Sequence, residues 1–180
     1  PLHESLLVRL EGTQPGPATL LEAHADTVPA EDWAETAFKP RSEGNTVFGR
    51  GACDNKGSLT AMTLAVLDLL ETGTVPPAPV LFLIAGDEEF HQTGIKHFAA
   101  TAPPLARAIV GEPTQLRPVL QHKGTIRWDI VIHGRSAHSA QPELGIDAIR
   151  GALLVCDWLR HRELELQRQH RDPWMTGPTL

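Results

Sequence analysis

Tyrosine is absent from the 180 residues, and cysteine occurs only twice, at Cys53 and Cys156. Two cysteines cannot build a disulfide framework, so a reducing compartment, and with it a cytoplasmic location, is expected. No stretch approaches the ~18 uninterrupted apolar residues of a membrane span. The longest apolar run, residues 79–86, has the length of a strand, so no membrane association is expected. Lys and Arg number 16 against 22 Asp and Glu, a net charge of −6, and they form no block. That argues against nucleic acid as a partner, which calls for a clustered basic face. What is present is ordinary for a globular chain, 41% hydrophobic and 21% charged, and it excludes disorder, collagen and coiled coil. Nine histidines beside no tyrosine are the one compositional pointer to metal or acid–base chemistry.

The hydrophobic pattern predicts an α/β fold. Residues 5–10 and 19–24 read as strands joined by the turn Gly12-Thr13-Gln14-Pro15-Gly16-Pro17. Residues 30–50 are broken and polar and read as a long loop. Leu59, Met62, Val66 and Leu69/Leu70 recur at helical spacing and predict a helix over 57–72, closed by Gly73. Residues 80–85 form a continuous apolar run after three prolines, which suits a strand buried on both faces. A short helix over 93–100 and another buried strand over 106–110 follow. Beyond Pro113 the character changes. Ile126, Trp128, Ile130 and Ile132 alternate, predicting a half-buried strand, and a long helix is expected over 146–169, with a charged last third at 160–171. These patterns divide the chain near Pro118 into 1–117 and 118–180. The chain starts on Pro1 within a strand-like run and stops where another strand would start, so a longer polypeptide is expected.

The reactive residues follow strand ends. His24-Ala25-Asp26 follows the second strand, Asp87-Glu88-Glu89 the 80–85 strand, Glu112 the 106–110 strand, and Asp54 lies in the loop before the best helix. Ligands of open α/β sheets bind beyond the carboxyl ends of strands, so these segments should converge. One imidazole among four or five carboxylates would repel strongly unless cations neutralise them, and a mixed N/O donor set favours Zn²⁺. Each acid taken singly could equally cap a helix or solvate a loop. Cys53 reads as a small buried residue rather than a soft ligand. Gly49-Arg50-Gly51 lacks the third glycine of a dinucleotide fingerprint, and Lys56-Gly57-Ser58 is in the wrong order for a phosphate loop. Ser136 lacks the second glycine of a nucleophile elbow. His133, His161 and His170 read as surface residues, whereas His122 and His138 stay open.

Six segments together resemble one family: His24-Ala25-Asp26-Thr27-Val28-Pro29, Gly49-Arg50-Gly51-Ala52-Cys53-Asp54-Asn55-Lys56-Gly57, Asp87-Glu88-Glu89, Gly111-Glu112-Pro113-Thr114, His122-Lys123-Gly124 and Gly134-Arg135-Ser136-Ala137-His138-Ser139. The family is that of the zinc-dependent amidohydrolases and exopeptidases, which includes acetylornithine deacetylase, succinyl-diaminopimelate desuccinylase, aminoacylase and glutamate carboxypeptidase. The acetylornithine deacetylase branch is the most similar. The resemblance implies a partial zinc-peptidase-like catalytic domain over 1–117 and the beginning of an inserted α+β lid or dimerisation domain over 118–180.

Carried over residue by residue, the resemblance implies that Asp54 bridges two Zn²⁺ ions, with Co²⁺ or Mn²⁺ as possible substitutes. His24 and Glu112 would complete one site and Glu89 would bind the other. Glu88 would be the general base, Asp26 the partner that orients His24, and His138 an oxyanion donor reaching a partner subunit's site in a homodimer. The expected substrate is an N-acyl amino acid or a short peptide. The expected reaction is amide hydrolysis, with an exopeptidase or a non-catalytic dimerisation module as the alternatives. Asn55 stands where the family often has Met or Asp. The family's remaining metal ligand is a downstream His not present in these 180 residues.

Overall fold

A computed structural model describes residues 4–170 and 172–180. Arg171, the last residue of the charged stretch expected at 160–171, lies outside them. The chain divides into two compact units, Pro1–Arg117 and Pro118–Leu180.

The first unit contains strands β1 (Leu6–Leu10) and β2 (Ala18–His24), a short helix α1 (Ala34–Ala37) and the hairpin strands β3 (Arg41–Glu43) and β4 (Thr46–Phe48). It continues with helix α2 (Lys56–Glu71), strand β5 (Val80–Ala85), helix α3 (Thr93–Thr101) and strand β6 (Leu105–Val110). The main sheet has the order β1-β5-β2-β6, so β6 lies at an edge and is exposed along its length rather than buried as the sequence suggests. β1 runs antiparallel to β5, while β5, β2 and β6 are mutually parallel, with His24 opposite Ala85 and Glu22 opposite Val110. Three carboxyl ends therefore share one rim, as the sequence predicts.

Strand alternation explains the unbroken apolar run of β5, because both of its faces are covered. Leu81 and Leu83 pack with Ala18, Leu20 and Phe98 on the α3 side. Phe82 packs with Leu10 and Val66, joined by Leu59, Met62 and Leu69, on the α2 side. The helical stripe read from the sequence thus faces the sheet, except that Leu70 is exposed. Gly111 lets α2 approach the end of β6, since a Cβ there would lie 2.7 Å from Ser58 Cβ.

The sequence reading of 30–50 as a loop is corrected in part. Besides α1 it holds the β3–β4 hairpin, with Arg41 opposite Phe48 and the Arg41 guanidinium 4.3 Å from the Phe48 ring centre. Three-residue strands with no buried position carry too little alternation to be read from sequence.

In the second unit, helix α4 (Ala148–Gln169) begins at Asp147, whose carboxylate accepts the N–H groups of Ile149 and Arg150 at 2.9 and 3.3 Å. No residue of α4 is buried. The strand expected over 126–132 does not form. A strand needs a neighbour to take its backbone groups, and among the described residues the only bridge of this unit is Arg135 with Ile146. Ile126 and Trp128, expected to be half-buried, are 82% and 53% exposed. Among the described residues no helix is long and apolar enough to cross a membrane.

Candidate metal centre

His24 closes β2 and is buried, and its two ring nitrogens face different partners. Nδ1 lies 3.1 Å from the main-chain oxygen of Asp26 and 3.4 Å from its carboxylate, while Nε2 lies 3.1 Å from Asp54 Oδ1. All of these partners are acceptors. A neutral imidazole carries one N–H, so it can donate to Asp26 while its Nε2 lone pair points at a carboxylate. That arrangement is repulsive unless a proton or a cation lies between Nε2 and Asp54. Burial works against the imidazolium, but the Asp26 carbonyl and the carboxylates of Glu88, Asp26 and Glu112 outweigh it and raise the His24 pKa.

Two groups of side chains could each hold a cation: His24 with Asp54 and Glu112, and His24 with Glu88 and Glu89. Within each group the ligand atoms all lie within 4.8 Å of one another. Glu88 Oε2 and Glu112 Oε1 each approach His24 Nε2 at 3.9 Å. Among the described residues, His24 is the only basic side chain within 4.0 Å of these carboxylates. Burial, followed by repulsion from Asp54, raises the pKa of both Glu89 and Glu112. An imidazole with a mis-matched lone pair among unneutralised carboxylates is a donor set that fits a divalent cation.

The parallel strands account for this convergence, and the turn after β5 supplies the rest. Asp26 accepts the N–H groups of Glu88 and Glu89 on its two carboxylate oxygens, at 3.1 and 3.0 Å, so it orients that turn as well as His24. Asp87 is buried. Its carboxylate takes the N–H groups of Thr93 and Gly94 at the start of α3, at 2.9 and 3.1 Å. Of the three consecutive acids, this one serves the fold.

His24, Asp26, Asp54, Glu88, Glu89 and Glu112 thus lie in one cluster, whereas His138 is exposed on the second unit, its Nδ1 accepting the Ala140 N–H at 3.1 Å. Glu89 falls in the group of His24 and Glu88, close enough to Asp54 to feel its charge. Cys53 is exposed rather than buried, being in the irregular loop that precedes α2. Sequence reasoning missed Glu22. Alternation puts it on the face of Leu20, where it is buried with Oε1 unpartnered among the described residues. Burial, with repulsion from Glu112 and Glu88 and opposition from His24, pushes it up to about 7. A lone acid two residues before the key histidine was the available signal.

The profile of Peptidase family M20/M25/M40 matches residues 20–176, and the chain belongs to that family. A probable carboxypeptidase of Aspergillus terreus is 37% identical over 161 residues, covering 82% of this chain and 35% of the relative. An acetylornithine deacetylase of Erwinia tasmaniensis is 41% identical over 133 residues, covering 72% of this chain and 34% of the relative. The chain therefore spans about a third of the length of the curated relatives it matches. The crystal structure of a tripeptidase from Staphylococcus aureus shares the fold, with a TM-score of 0.57 and 20% identity over 85% of this chain and 42% of that one.

Proposed function

We propose that the polypeptide carrying this chain hydrolyses an amide bond in an N-acyl amino acid, in the manner of the acetylornithine deacetylase it resembles. The single observation behind the reading is His24 shared between two acidic groups, with its Nε2 3.1 Å from Asp54 Oδ1. In this reading His24, Asp54 and Glu112 would hold one Zn²⁺, and Glu89 with Asp54 would contribute to a second. Such ions, when bound, lower the pKa of water and polarise an amide carbonyl.

The chain's own residues then have distinct tasks. Glu88 takes the proton from the attacking water and delivers it to the leaving nitrogen. Its Oε1 accepts from Gln92 Nε2 at 3.1 Å and its backbone is held by Asp26, which leaves Oε2 turned toward His24 Nε2. Asp26 fixes the histidine tautomer through the Nδ1 contact. His138, from the second unit of a partner subunit, donates to the developing oxyanion. The homodimer, the lid role of 118–180 and the cytoplasmic setting belong to this same proposal.

The test is Glu88→Gln in the complete enzyme, assayed on N-acetyl amino acids. Turnover should fall by about 10²–10⁴-fold with metal retained. Unchanged turnover with metal bound removes Glu88 from the role. A second reading, a metallo-exopeptidase, is favoured by the relative named a probable carboxypeptidase. Faster cleavage of unacylated di- and tripeptides than of N-acetyl amino acids would select it. Absence of both metal and turnover would leave a non-catalytic module.

A further inference from the structure

Two consecutive side chains at the start of α2 tie the candidate metal centre together from behind. Lys56 Nζ donates to the main-chain oxygen of Ala25 at 2.9 Å, and Ala25 directly follows His24. Asn55 Nδ2 donates to the main-chain oxygen of Gly111, which directly precedes Glu112. Asp54 directly precedes the pair. Asn55 is fully buried and occupies the position that begins the helix, where an Asn side chain ordinarily accepts a helix N–H. Here it makes no such cap, and its oxygen has no partner among the described residues. Its amide is committed to Gly111 instead. Gly51, at φ +81°, supports the same arrangement, because a Cβ there would lie 3.0 Å from Lys56 Nζ and 2.7 Å from Thr27 Cγ2.

We propose that Asn55 and Lys56 are positioning residues that cross-tie the β2 end, the 51–57 loop and the β6 end, and so fix the spacing of His24, Asp54 and Glu112 for a divalent cation. This rests on the metal reading above. The three ligands come from segments far apart in the chain, and β-sheet pairing holds only His24 directly, since Glu112 lies two residues beyond β6 and Asp54 in a loop before α2. The two donors grip carbonyls rather than ligand atoms, so they set positions without occupying the donor set. Neighbours that orient ligands in this way typically contribute 10–100-fold to metal affinity.

The test combines cobalt titration with hydrogen exchange on the chain. Lys56→Met keeps the aliphatic stem of an exposed residue and removes the donor. It should weaken Co²⁺ binding by about 10–100-fold at an unchanged melting temperature, and Lys56→Arg should restore most of the affinity. Asn55→Leu should act in the same direction, and if its buried site will not tolerate the change, Lys56→Met still decides. In the metal-free chain, amides of 51–57 and 24–26 should exchange faster in Lys56→Met while those of β5 stay as they are. Unaltered Co²⁺ affinity and unaltered exchange in Lys56→Met would overturn the proposal, as would failure of Lys56→Arg to recover binding. If the unsubstituted chain bound no Co²⁺, the metal reading would fall, and the exchange comparison would still show whether the cross-tie exists.

Discussion

The two units use their apolar residues in opposite ways. In the first, β5 is covered on both faces, and Leu81, Phe82 and Leu83 are almost completely buried. In the second, α4 is about six turns of regular helix with no buried residue, held by Asp147 at its start and by pairs such as Arg160–Asp157 and Arg162–Glu165 on its surface. Such exposed pairs contribute little, about 0.2–0.5 kcal/mol each. A rigid rim follows from the first pattern. Reactive groups brought from distant segments keep their spacing only where the elements beneath them are packed. All six clustered candidates stand on the packed unit, and the one candidate on the other unit, His138, is exposed in a loop.

The sharpest way to break this contrast is at His24, because it belongs to both cation-binding groups. His24→Ala should remove measurable Zn²⁺ binding from the chain. Zinc retained at comparable affinity would mean that the carboxylates, or another histidine, form the site without it. Next in size is the core itself. Phe82→Ala should cost about 3–5 kcal/mol in chemical denaturation, as for large-to-small changes in a packed interior.

A smaller effect is expected at Glu22, and its sign can be worked out. Burial raises the folded-state value to about 7, above the ordinary carboxylate range of the unfolded chain. Between the two values the folded state binds more protons, so stability falls as pH rises from about 4.5 to about 7 and the loss is complete above that. Glu22→Gln should therefore stabilise the metal-free chain at pH 8 by roughly 1–3 kcal/mol, and hardly at all at pH 4. Equal gains at both pH values would assign the effect to packing rather than to charge.

How far the sequence led depended on which interactions carried each feature. β2, β5, α2 and α3 were legible because local periodicity and burial agree. The convergence of His24, Glu88, Glu89 and Glu112 was legible from strand ends, and that of Asp54 from its loop before the firmest helix. Asn55 and Lys56 were not, since each owes its place to a contact across tens of residues that no local pattern encodes, as Asn55 with Gly111 and Lys56 with Ala25; Glu22 was marked only by its alternation with Leu20. Asp87 could not be told apart from Glu88 and Glu89 in the sequence, because its partners lie at the start of α3. The expected strand at 126–132 shows the converse. Perfect alternation of Ile126, Trp128 and Ile130 does not make a strand without a neighbour to pair with.

The smallest expected effect completes the contrast. Leu154 lies on α4 and is 74% exposed, with Ile149, Leu153 and Trp158 also exposed on the same helix. Truncating a side chain that already lies in water removes little buried area, and Ala has the higher helix propensity, so transfer and propensity terms nearly cancel. Leu154→Ala should change the stability of the monomeric chain by no more than about 0.5 kcal/mol, against the several kcal/mol expected at Phe82. Denaturation at two protein concentrations gives the decisive reading. A loss approaching that of Phe82→Ala, and growing with concentration, would show that the face of α4 is covered by a second copy in solution. The contrast between the units would then be one between a core completed within the chain and a core completed by association.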